Sequence, residues 1–221
     1  MSVMSVFFVF LCYLCYNNTV IRQVFLLMKG RIILRIIAGS AKKRLLKVPV
    51  GWTGRPTADK VKESLFNILG GMLVGSRFLD LFAGTGNVGI EALSRGALKA
   101  VFVEKDSRAI CAIMHNLKAT GFENSSRVMV GNVIHALTEL GKKGVLFDIV
   151  FMDPPYGMGI EIAVIEKVHE MNILTSDGLL VVESGKRETL PSGVMGLSLT
   201  RQVRYGDTML SFYEYSGRGC G

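Results

Sequence analysis

The sequence predicts an α/β chain: a doubly wound, mostly parallel sheet of seven strands, with an antiparallel C-terminal hairpin and a small basic β-hairpin at the N-terminal side. Three observations carry this. From residue 78 onward, short apolar runs alternate with helix-compatible segments, which specifies a parallel sheet covered by helices on both faces. The stretch Phe78-Leu79-Asp80-Leu81-Phe82-Ala83-Gly84-Thr85-Gly86-Asn87-Val88-Gly89 leads an apolar run through a carboxylate and a glycine turn into Ile90-Glu91-Ala92-Leu93. A buried strand that turns this tightly into a helix can hold a ligand at the turn. Finally, the strand-like runs 197–205 and 208–215 are joined by Gly206-Asp207 alone, too short a link for a crossover, so these two pair antiparallel.

The elements follow in order. Residues 1–28 are expected to be an apolar extension outside the fold, with no charge before Arg22. They lack a basic leader region and a small-residue cleavage site, and Asn17-Asn18-Thr19 interrupts the apolar run near the minimum length of a membrane span. No stable membrane partner is expected. Residues 29–56 form the basic hairpin: a strand-like run from Arg31 ends at Gly39-Ser40, and a second covers 43–48 before Pro49. The main domain, 57–216, opens with a helix that Thr57 can cap and Gly70-Gly71 stops. Strands are then expected at 78–82, 100–104, 127–130, 147–152 and 179–183. Helices are expected at 88–95, 107–119, 134–140 and 161–171.

Composition narrows the function. With 49% hydrophobic and 20% charged residues, the 221-residue chain is a folded globular protein. Its formal net charge of +8 is localised: Lys29, Arg31, Arg35, Lys42, Lys43, Arg44, Lys47 and Arg55 fall in a segment without a single acid. A single-signed field of this kind favours a polyanion, nucleic acid or an anionic membrane surface. Cys12 and Cys15 form one C-x-x-C, but no second pair or nearby histidine completes a zinc site, so no metal is expected. The cysteine pattern supports no disulfide framework, which fits a reducing, cytoplasmic setting.

In a doubly wound sheet, ligands bind beyond the carboxyl ends of the strands, and four such ends carry chemistry here. The first has Asp80 and the turn Phe82-Ala83-Gly84-Thr85-Gly86. Gly84, Gly86 and Gly89 also satisfy G-x-G-x-x-G, so a dinucleotide is an alternative ligand. The second ends at Glu104, placed to accept hydrogen bonds from ribose hydroxyls. The third leads to Asn132, which can face an adenine edge or cap the following helix. The fourth ends in Asp153-Pro154-Pro155-Tyr156. Its two prolines fix the backbone and remove two N–H donors. A carboxylate, the Pro154 carbonyl and an aromatic face together match a planar amine, with two acceptors for its N–H groups and a surface for stacking.

These residues carry a resemblance. Asp80–Gly86, Glu104 and Asp153–Tyr156 are similar to the cofactor and catalytic motifs of class I S-adenosylmethionine-dependent N-methyltransferases, a Rossmann-like class. More narrowly, four stretches resemble the RsmD family: Arg35-Ile-Ile-Ala-Gly, Arg55-Pro-Thr-x-Asp-x-Val-x-Glu-Ser-Leu-Phe-Asn-Ile-Leu, the Asp153 loop and Tyr205-Gly-Asp-Thr. Together they cover the chain from about Arg31 to Tyr215. Lys43 departs from the family, which often has glycine there, and Asn132 stands where methyltransferases commonly carry aspartate.

The resemblance implies methylation of the exocyclic N2 amine of a guanine in 16S rRNA, with the RNA in the small ribosomal subunit and the enzyme a monomer. It implies that Asp80, the Gly84–Gly86 turn and its neighbours hold S-adenosylmethionine, with Glu104 and Asn132 at its nucleoside. Asp153 and Pro154 would orient the amine, while Tyr156 stacks on the base. Lys42, Lys43 and Arg44 would grip phosphates, and Arg55 and Thr57 would close over cofactor or target. The alternatives are N-methylation of adenine in DNA or of a protein glutamine amide, and a non-catalytic RNA-binding protein of the same fold. No cysteine sits in a strand-end motif, which disfavours transfer to C5 of a pyrimidine.

Overall fold

The computed structural model describes residues 34–49, 59–155, 157 and 159–216. The expected extension at 1–28 lies outside the described residues, as do Arg55, Thr57 and Tyr156.

Two short strands come first, β1 (Leu34–Arg35) and β2 (Leu45–Leu46), paired antiparallel. Helix α1 (Asp59–Leu69) precedes the main sheet. The sheet then builds as β3 (Arg77–Leu81), α2 (Asn87–Ser94), β4 (Lys99–Glu104), α3 (Ser107–Thr120), β5 (Ser126–Val130), α4 (Val133–Lys142), β6 (Phe147–Met152), α5 (Glu161–Glu170) and β7 (Leu174–Gly185). Strands β8 (Gly193–Val194), β9 (Leu197–Tyr205) and β10 (Thr208–Tyr215) complete it. The spatial order is β5-β4-β3-β6-β7-β10-β9-β8. Strands β3 to β7 pair parallel, while β10 pairs antiparallel with both β7 and β9. All seven expected strands are present. Two-residue β8 extends the edge to eight.

Alternation along β3 decides which layer each side chain enters. Leu79 and Leu81 join one buried cluster with Val133, Leu137 and Leu140 of α4 and with Val164, Ile165 and Val168 of α5. Phe78 faces the opposite layer, where its ring stacks on Phe66 of α1, with centroids 6.5 Å apart. Asp80 shares that second face. Helix ends follow local chemistry: Asp106 caps α3 through the Arg108 amide, and Gly121 closes it in the left-handed conformation. The order reverses between β3 and β6, so the crevice there opens at the carboxyl ends of the strands.

The N-terminal hairpin is shorter than its apolar pattern predicts, and the cause is visible. The Ile37 and Ala38 amides donate to the Glu91 carboxylate of α2, at 2.8 and 2.9 Å, instead of extending a strand ladder. Gly39 then passes so close to α2 that a Cβ there would lie 1.7 Å from the Ser94 carbonyl oxygen. Only glycine fits at that crossing. Lys43 takes φ +70° in the tight turn, a conformation that favours glycine.

Candidate active site

Register places three of the expected site residues, Glu104, Phe82 and Asp153, in one row. Leu81 pairs with Val103 on one side and Met152 on the other, and Met152 pairs with Val182. The next residue on each chain is therefore Glu104, Phe82, Asp153 and Glu183, four neighbouring chains about 4.8 Å apart at the mouth of the crevice. Asp80 lies two residues below Phe82, and Asn132 stands two residues past the end of β5.

The turn after β3 is built from backbone bonds. Phe82, Gly84 and Gly86 take positive φ values of 61°, 56° and 78°. The Ala83 amide donates to the Val103 carbonyl at 3.0 Å, and the Gly86 amide to the Ala83 carbonyl at 2.8 Å. Glu104 reaches into this turn: its Oε2 accepts from the Gly84 amide at 2.8 Å, while Oε1 accepts from the amides of Lys105 and Asp106. Three of the roughly four acceptor directions of that carboxylate are thus occupied by protein. Binding both hydroxyls of a ribose would draw on the Gly84 bond.

Asp80 is buried beneath the turn, and its Oδ2 accepts the Gly89 amide at 2.8 Å. Burial pushes its carboxyl up to about 7; the Gly89 bond opposes this and the nearby Glu104 charge adds to it. Gly89 permits the contact, since a Cβ there would lie 2.4 Å from the Phe102 ring and 3.0 Å from Asp80 Oδ2. Asn132 caps α4, its Oδ1 accepting the Ile134 amide at 2.8 Å, so its amide nitrogen is the group left to face a ligand. Pro154 is buried and Pro155 exposed.

Lys42, Lys43, Arg44 and Lys47 are all exposed, and among the described residues none of them is in an ion pair. The hairpin that carries them is tied to the glycine turn after β3 by groups the sequence did not single out. Asn116 of α3, fully buried, accepts the Lys47 amide at 2.7 Å and donates to the carbonyls of Lys47 at 3.1 Å and Thr85 at 3.0 Å. Lys62 of α1, also fully buried, donates to the Arg35 carbonyl at 2.8 Å and Asn87 Oδ1 at 2.6 Å, and sits 3.3 Å from Glu91. Burial lowers the Lys62 pKa, against the pull of Glu91. A signal for this pair was present: Lys62 lies on the apolar stripe of α1, with Val61, Leu65, Phe66 and Leu69, and Glu91 interrupts the apolar run 88–93 of α2.

Among the described residues, no group of three or more His, Cys, Asp or Glu could hold a metal, and no helix is long and apolar enough to cross a membrane.

A parallel sheet with an antiparallel last hairpin, a glycine turn after its first main strand and an acid at the end of the second defines a class I methyltransferase. Comparison then gives the family. Residues 34–214 match the family described as Conserved hypothetical protein 95, and the chain belongs to this family, the RsmD family. Relatives include YlbH of Bacillus subtilis, 40% identical over 83% of this chain and 100% of that protein. Ribosomal RNA small subunit methyltransferase D of Escherichia coli is 36% identical over 84% of this chain and 92% of its own length. The solved structure of the Escherichia coli protein yhhF matches with a TM-score of 0.74 at 33% identity, covering 83% and 98% of the two chains.

The cofactor of this class is S-adenosylmethionine, and the site suits it. Asp80 lies beneath the turn, where its ionised form favours a cationic sulfonium, and Glu104 is bonded into the turn beside the place a nucleoside would take.

Proposed function

We propose that this protein methylates the exocyclic N2 amine of a guanine in 16S rRNA, acting in the cytoplasm as a monomer on RNA of the small ribosomal subunit. The observation that carries this reading is the shared row of Glu104 and Asp153, two strand spacings apart, with a basic hairpin bonded to the turn between them whose Lys42, Lys43, Arg44 and Lys47 make no ion pair among the described residues. The relatives of known name support the RNA substrate, since one is a ribosomal RNA small subunit methyltransferase.

When bound, S-adenosylmethionine supplies an electrophilic methyl group on a positively charged sulfur. The protein's part is positional. Asp80, Phe82, Ala83, Gly84, Thr85 and Gly86 hold the methionine portion, and Glu104 and the Asn132 amide nitrogen face the nucleoside. Guanine's amine shares its lone pair with the ring and is a poor nucleophile. Asp153 and the Pro154 carbonyl accept its two N–H groups, which turns the lone pair toward the methyl group. Tyr156 stacks on the extruded base, following the family resemblance. Asp153 acts first by orientation; the bond from sulfur to the methyl group breaks as the bond to nitrogen forms, and the proton then shed by the methylated amine passes to Asp153 or to water. Lys42, Lys43 and Arg44 bind phosphates, and Arg55 and Thr57 close over the site.

The test uses small ribosomal subunits from cells lacking this protein, incubated with methyl-labelled cofactor and then digested to nucleosides. Label is expected in N2-methylguanosine; label in any other nucleoside overturns the proposed specificity.

A further inference from the structure

Two features have no role in the reaction as proposed: the turn Tyr205-Gly206-Asp207-Thr208 and the loop that follows β7. They meet. Thr208 pairs with Gly185 at the end of β7. The Lys186 amide donates to the Asp207 carbonyl at 2.9 Å, and the Lys186 ammonium forms an ion pair with the Asp207 carboxylate. The loop closes on itself through the Glu188 amide, which donates to the Gly185 carbonyl at 2.9 Å. From this fixed base the Glu188 carboxylate reaches two amides at once: Oε2 accepts from Gly185 at 2.8 Å, and Oε1 accepts from Gly157 at 2.8 Å.

Gly157 directly follows Asp153-Pro154-Pro155-Tyr156. Pro154 and Pro155 have no N–H, so the loop offers few backbone donors by which the rest of the protein could tether it. The Gly157 amide is one of them, and a carboxylate receives it. Bonds from amides to an ionised acceptor are shorter and stronger than neutral ones.

We propose that Glu188 is a positioning residue for methyl transfer. It fixes the Asp153–Tyr156 loop at its C-terminal end, and the Asp207 turn holds the loop that presents it. This rests on the reading of Asp153 as the group that orients the amine. Displacement of a reacting group by about 1 Å can cost on the order of a hundredfold in rate, so a tether that acts through the loop can matter to the rate.

The test measures single-turnover rate and cofactor Kd for full-length variants, with labelled S-adenosylmethionine and small ribosomal subunits from cells lacking this protein. Glu188→Ala is expected to slow transfer at least tenfold while changing cofactor Kd less than twofold. Glu188→Gln keeps one acceptor oxygen but turns a donor toward the second amide, so its rate should fall between Glu188→Ala and the original. Asp207→Ala should slow transfer in the same direction by a smaller factor. Wild-type rates for both Glu188 variants overturn the proposal, as does a loss of rate that comes only with a matching loss of cofactor affinity. Asp153→Ala serves as the separate control. If it retains full activity, the orienting role of Asp153 fails and the tether loses its purpose; if it is inactive while Glu188→Ala is fully active, the Glu188 proposal alone falls.

Discussion

Asp80→Asn should make the protein more stable and worse at binding its cofactor, and pH should separate the two effects. In the folded protein the Asp80 carboxyl titrates at about 7, against 3.8 for the ordinary group. A raised acid pKa means the folded state holds a proton that the unfolded state has released, so stability falls as pH rises from about 4 to about 7. At about 1.4 kcal/mol per unit, the penalty reaches about 4 kcal/mol at pH 8 and is about half that at pH 5.5. Asparagine carries no such penalty, and its amide oxygen can still accept the Gly89 amide. In a domain of this size 1 kcal/mol moves Tm by about 2–4 °C. Asp80→Asn should therefore raise Tm at pH 8 by on the order of 10 °C, with roughly half that gain at pH 5.5. Cofactor binding runs the other way. A cationic sulfonium favours the ionised carboxylate, so binding releases a proton, and the original protein should lose cofactor affinity as pH drops below 7, by up to tenfold per unit. Calorimetry of cofactor binding from pH 5.5 to 8, alongside thermal melts, checks both. A pH-independent Tm gain, or a cofactor affinity whose pH dependence survives in Asp80→Asn, would refute the argument.

Glu91→Ala removes the buried acceptor of the Ile37 and Ala38 amides and the partner of Lys62; urea unfolding should show a loss of about 3–5 kcal/mol. Lys43→Gly relieves a side chain held at φ +70° and should raise the urea midpoint by the equivalent of about 1 kcal/mol, while weakening RNA binding slightly. Replacing Lys42, Lys43 and Arg44 together by alanine should reduce the slope of log affinity for RNA against log salt by about 2–3, with cofactor Kd unchanged, as followed by filter binding across a salt series. An unchanged slope would remove the hairpin from the RNA interface.

Strand and helix positions were legible because each main element writes its own period into the sequence. The core of β3 to β7 needs continuous apolar runs, and the glycine turn and the Pro-Pro loop interrupt them at the strand ends. What the sequence concealed was long-range bonding of polar groups. Asn116 sits 69 residues from Lys47 and 31 from Thr85, and nothing local in α3 distinguishes it from an exposed asparagine. Glu188 lies 31 residues from Gly157 and reads as one more charge in a polar loop. Strand β7 was expected at 179–183 and runs Leu174–Gly185, because its pairing with β6 jumps from Phe147–Leu174 to Ile149–Leu179 and the polar Thr175-Ser176-Asp177-Gly178 fits inside that irregularity. The hairpin erred in the opposite direction, since the amides of Ile37 and Ala38 went to Glu91 rather than to a neighbouring strand.

The single amide of Asn116 has a mechanical consequence. By gripping the hairpin at Lys47 and the turn at Thr85, it makes the part proposed to hold the RNA backbone and the part proposed to hold the methyl donor one jaw of a vice. The opposing jaw is the Asp153 loop, anchored through Gly157 to Glu188 in the loop after β7. Alignment of donor and acceptor atoms then depends on the gap between two solid pieces rather than on many independently moving contacts. The strength of the phosphate grip can be changed on the hairpin's outer surface without retuning the distance over which the methyl group travels.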